Sequence, residues 1–106
     1  MRKYYKYGKN FIGYSHGDSE KYEDLPLLMA SERPQDWGDS VYREWHTGHL
    51  HKNEITEKQR IRIRRIPSLV PNSAWAAQKG YNSVREAQAF VWHPIKGLTS
   101  VFNFHI

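Results

Sequence analysis

The sequence predicts one mixed domain of strands and short helices, α+β in character, with strands outnumbering helices. Three observations carry that expectation. Arg60-Ile61-Arg62-Ile63-Arg64 alternates strictly, the period of a strand with one buried face. Aromatic and β-branched runs bounded by glycine or proline recur near both ends of the chain. Helix start and stop residues bracket two short segments between them. At 106 residues the chain has room for one domain, 1–106, with one modest core.

Residues 4–7 and 10–14 read as two short strands, or one bulged strand, interrupted by Gly8; the second delivers His16 at its C-terminal end. Asp24-Leu25-Pro26 opens a helix that runs through Ala30, with Asp24 or a neighbour as cap and Pro26 in the first turn. Pro34 and Gly38 close that segment. Residues 41–46 alternate as a strand and end in Thr47-Gly48, where glycine permits a turn or a close backbone approach. The isoleucines of 60–64 share one face and the arginines the other. Residues 73–80 form a second helix, from a serine start to a glycine stop, and 84–87 add a further turn. Residues 89–93 and 98–104 form a closing hairpin through Pro94-Ile95-Lys96-Gly97.

Aromatic residues are 14% of the chain against a hydrophobic total of 39%, so the core must rest on Tyr, Trp and Phe, with Trp37, Trp45, Trp75 and Trp92 as packing residues. The formal charge of +5 favours an anionic partner: nucleic acid, a phosphorylated substrate or an acidic protein surface. With no cysteine, disulfides and thiolate metal sites are excluded, and His with Asp, Glu or Asn are the available ligands. No stretch reaches the length of a membrane span and the first residues are not of signal-peptide type, so a soluble, cytoplasmic protein is expected.

His46-Thr47-Gly48-His49-Leu50-His51 gathers three imidazoles around one glycine, and His16-Gly17-Asp18 can join them in space. Neutral imidazole is the commonest transition-metal ligand, so a divalent-metal site is the first reading. In extended backbone, residues two apart project to one side at roughly 6.6 Å, which lets His49 and His51 aim at one metal or at two neighbours. Three imidazoles and water suffice for a mononuclear zinc site. An isolated His-x-His is also common as a hydrogen-bonded surface pair.

The order His16-Gly17 and then Gly48-His49-Leu50-His51 resembles the C-terminal half of calcineurin-like metallophosphoesterases. It is most similar to phage- and prophage-type members, through Tyr4-Tyr5-Lys6-Tyr7-Gly8-Lys9 before the first motif and Trp75 with Gly80-Tyr81 after the second. The resemblance implies half of an α/β sandwich, mostly antiparallel with two short helices. It also implies a divalent metal (manganese, zinc or iron), His16 and His49 on one ion, His51 on the other, and hydrolysis of a phosphomonoester or phosphodiester, including nucleic acid. Asp18, after the His-Gly element, could accept a hydrogen bond from His16; His46 could be a ligand or stand behind the ligands, but facing the strand's other side or solvent is the favoured reading.

The chain departs from the family in lacking Asp-x-His, Gly-Asp-x-x-Asp and Gly-Asn-His-Asp. It therefore reads as the product of a split or truncated gene, with no complete catalytic set, inactive without an N-terminal half. The same residues also suit a non-catalytic basic module that binds a metal, nucleic acid or a protein, or a self-associating chain covering an exposed face.

Arg60, Arg62 and Arg64 could track a phosphate backbone, or form the solvated outer face of an edge strand. No aromatic residue interleaves with them, which argues against a stacking platform there. His93 and His105 read as incidental.

Overall fold

A computed structural model describes residues 2–15, 21–48, 54–58, 60–66 and 86–105. β1 (Lys3–Tyr7) and β2 (Asn10–Ser15) are followed by a 3-10 turn (Tyr22–Asp24), α1 (Leu25–Glu32), α2 (Pro34–Gly38) and β3 (Tyr42–Thr47). β4 (Glu54–Lys58), β5 (Ile61–Arg65), β6 (Glu86–His93) and β7 (Gly97–His105) complete the described elements. A five-stranded mixed sheet has the order β1-β2-β3-β5-β4, and β6 and β7 form a separate antiparallel pair. The β1–β2, β4–β5 and β6–β7 pairings are antiparallel, while β2–β3 and β3–β5 are parallel. The fold of the described residues is thus mixed α+β, with three of its five strand pairings antiparallel and two short helices.

Both helices fall where one was expected. Pro34 does not close α1; it opens α2, because its fixed φ and missing N–H suit a first helical position. Asp24 precedes α1 without a capping side-chain bond, and the 3-10 turn feeds directly into the helix, the Leu25 N–H donating to the Tyr22 carbonyl. The helix expected at 73–80, with Trp75, lies outside the described residues. The turn expected at 84–87 is overruled at its end, since Glu86 and Ala87 belong to β6.

β4 has one apolar residue, Ile55, and a strand paired along one side needs little more. Its presence makes β5 an interior strand, so the arginines there are not the outer face of an edge.

Alternation divides the sheet into two faces. Phe11, Trp45, Ile61 and Ile63 point to one, where Leu25 and Met29 of α1 complete a fully buried cluster flanked by Tyr4, Tyr22, Leu28 and Trp37. Each large apolar side chain buried there stabilises by about 1.5–3 kcal/mol. Gly13 makes room for Trp45, because a Cβ at that position would stand 2.3 Å from the indole ring.

The opposite face carries Glu44, His46, Arg62 and Arg64, with fully buried Ile12 beside them, and the β6–β7 hairpin covers it. The Phe90 ring lies 4.8 Å from that of His46 and 5.3 Å from the Arg64 guanidinium carbon. The hairpin turn is fastened to the β1–β2 turn: the Lys9 N–H donates to the Pro94 carbonyl (2.6 Å), and Asn10 Nδ2 donates to the His93 carbonyl (2.9 Å). Gly8, at φ 57°, permits this approach, since a Cβ there would meet the Pro94 oxygen at 2.3 Å. His93 is not incidental, for its Nδ1 accepts the Ile95 and Lys96 N–H groups (3.1 and 3.0 Å) and shapes the turn. No helix among the described residues is long and apolar enough to cross a membrane.

Candidate functional site at the carboxyl ends of the parallel strands

β2, β3 and β5 run parallel and stop together. The register pairs Ser15 with Thr47 and Thr47 with Arg65, and the Ile66 N–H donates to the Thr47 carbonyl at 2.7 Å. Neighbouring strands stand about 4.8 Å apart, so Ser15 and Thr47 end side by side. His16 follows Ser15 in the chain, and Gly48-His49-Leu50-His51 follows Thr47. The strands that precede the two motifs in sequence therefore end side by side at one edge of the sheet, the edge at which open sheets with parallel strands gather their ligands. His16, Asp18, His49 and His51 themselves lie outside the described residues. Among the described residues, no group of three or more His, Cys, Asp or Glu side chains could hold a metal ion.

A cleft of about 430 Å³ opens at this edge, lined among others by Lys3, Tyr14, Ser15, His46, Thr47 and Gly48. Ser15 is held by its hydroxyl, which accepts from Trp45 Nε1 at 3.0 Å, so the end of β2 is anchored to the apolar core. His46 is buried, its ring edge-on to Tyr14 at 5.4 Å. Its Nε2 lies 2.5 Å from Glu44 Oε2, and Arg64 Nε donates to the same oxygen at 3.0 Å.

Burial alone would raise the Glu44 carboxyl, but the hydrogen bonds from His46 and Arg64, with their charges, outweigh it and hold the group below the usual carboxylate range. Burial likewise pushes the Tyr14 phenol up, helped by Tyr5 and Glu44 nearby. His46 thus stands in the wall of the cleft with one ring nitrogen committed to a buried carboxylate, an arrangement that fixes ring orientation.

The three arginines do not form one stripe. Arg60 sits in the turn before β5 at φ 77°, Arg62 is exposed and 3.5 Å from Glu57, and Arg64 is turned inward to Glu44. The sequence reading missed Glu44. Its signal was the Glu44-x-His46 spacing, which puts both side chains on one face of a strand. Compared with family models, with curated proteins and with solved structures, the chain has no match.

Proposed function

We propose that this chain is the C-terminal part of a metal-dependent phosphoesterase of the calcineurin-like type, of phage or prophage kind. In this reading it supplies the histidine side of a two-metal centre and needs an N-terminal half for activity. The supporting observation is the shared edge: His16-Gly17 and Gly48-His49-Leu50-His51 follow strands that are adjacent, parallel and in register through Ser15 and Thr47. His16 and His49 serve one ion and His51 the other. Bound metals supply charge stabilisation at phosphoryl oxygens and a water acidic enough to attack at neutral pH.

The chain's own contribution is to orient neutral imidazoles from rigid strand ends and to offer Lys3, in the wall of the same cleft, to a phosphate oxygen. The carboxylates that must offset two neighbouring cations come from the other half.

Titration with manganese by calorimetry is expected to show binding that weakens at least tenfold in His49→Ala and His51→Ala; equal binding in all three proteins removes the ligand assignment. Hydrolysis of a generic phosphodiester is expected only after mixing with an upstream half carrying the acidic motifs. Chelator-sensitive turnover by the isolated chain would refute incompleteness. Metal binding with an inactive mixture would leave a metal-binding module.

A further inference from the structure

A second cleft lies at the opposite edge of the sheet, where β3 and β5 begin and β4 ends. It holds about 380 Å³, within the range of small-ligand sites, and the β6–β7 turn forms one wall. Four cationic side chains line it, Arg43, Arg60, Arg62 and Lys96, against two carboxylates, Glu44 and Glu57. Glu44 is already committed to His46 and Arg64. Glu57 offsets Arg62 alone, at 3.5 Å with both groups exposed. Arg60 and Lys96 have no ionic partner among the described residues.

Arg43 is held rigidly, donating through Nε to the Ser40 hydroxyl (2.9 Å) and through Nη2 to the Trp37 carbonyl (2.6 Å), with its guanidinium 4.1 Å over the Trp37 ring. Burial first, and then the neighbouring Arg60 charge, lower the Arg43 pKa. Tyr42, 39% exposed, and Trp92 add aromatic surface to the same cleft, brought from β3 and β6 to Arg60 and Arg62.

We propose that this cleft binds a nucleotide phosphate, the cations taking the phosphate oxygens and Tyr42 with Trp92 flanking the base. Arginine and lysine beside aromatic faces are the combination that recognises phosphate and base together. The site is separate from the histidine edge and stands whether or not that edge binds metal. Its ligand is a free mononucleotide or one nucleotide of a single strand, which share this chemistry.

The whole chain is titrated with adenosine monophosphate, with a short fluorescent single-stranded oligonucleotide and with inorganic phosphate. Lys96→Gln and Arg60→Gly are compared with Lys21→Gln, which removes one charge outside the cleft. Arg60→Gly also relieves the left-handed backbone, so its melting temperature must not fall and weakened binding cannot be misfolding. Each cleft variant is expected to weaken the nucleotide ligand by about fivefold, the upper range for an exposed ion pair, with Lys21→Gln near wild type. Tighter binding of the monophosphate or of the oligonucleotide identifies the source. Equal weakening by Lys21→Gln, inorganic phosphate competing as well as the nucleotide, or no binding at millimolar ligand overturns the proposal.

Discussion

The two faces of the central sheet are built from alternate residues of the same strands and are held by different forces. On the helix side, Trp45, Phe11, Ile61 and Ile63 meet Leu25 and Met29, and contact is non-directional burial. On the hairpin side, Glu44, His46 and Arg64 meet Phe90 and Trp92, and contact is a carboxylate shared by an imidazole and a guanidinium under aromatic rings. An apolar face loses stability in proportion to volume removed. A charged one depends on every partner being present.

The largest expected effect is on the helix side. Trp45→Ala should cost about 3–5 kcal/mol in urea unfolding, through transfer loss and the cavity left between sheet and α1. A cost below about 1 kcal/mol would mean the cluster is not the main core.

On the hairpin side Glu44→Ala strands Arg64 and His46 and should cost about 3 kcal/mol, whereas replacing Glu44, His46 and Arg64 together by apolar residues of similar volume should restore most of that loss. If the triple replacement is no better than the single one, the charges are specifying how the hairpin docks.

The smallest effect is in acid. Arg2 donates to Glu32 at 2.8 and 2.6 Å and Tyr4 adds its hydroxyl, tying β1 to the end of α1. These bonds lower the Glu32 carboxyl from 4.5 to about 2. The stability it contributes is therefore complete above its ordinary value and is lost as pH falls toward 2. For a side chain 31% exposed, that loss should be about 1 kcal/mol and absent in Glu32→Gln, measured by melting at pH 5 and pH 2.5. Glu44, also held low, adds a loss of the same sign.

The same contrast explains what could be read in advance. Ile61 and Ile63 announce a buried face by period alone, and the strands flanking Gly8 and the closing hairpin were legible from glycine and aromatic spacing. Arg62 and Arg64 carry one pattern and separate into an exposed and a buried residue: Arg62 stands opposite Glu44 yet turns to Glu57 of β4, while Arg64, opposite His46, reaches diagonally to Glu44. That pairing depends on sheet order, which alternation does not encode. β4 was illegible for a related reason: Glu54-Ile55-Thr56-Glu57-Lys58 is polar, and only pairing with β5 makes it a strand. Nor does alternation encode the parallel β2–β3 pairing that sets Ser15 and Thr47, the strand ends before the two histidine motifs in sequence, side by side.

The bond from Asn10 to the His93 carbonyl joins residues 83 positions apart. Closing so long a loop is entropically costly, and contacts of high sequence separation form late on a folding route. The β2–α1–β3 side can assemble first from contacts closer in sequence, leaving Glu44, His46 and Arg64 hydrated until the hairpin arrives. In native-state hydrogen exchange, β6 and β7 should open as a unit before the five-stranded sheet does. Their release would uncover charges that water accepts readily, so the molecule's easiest partial unfolding would expose its most polar interior.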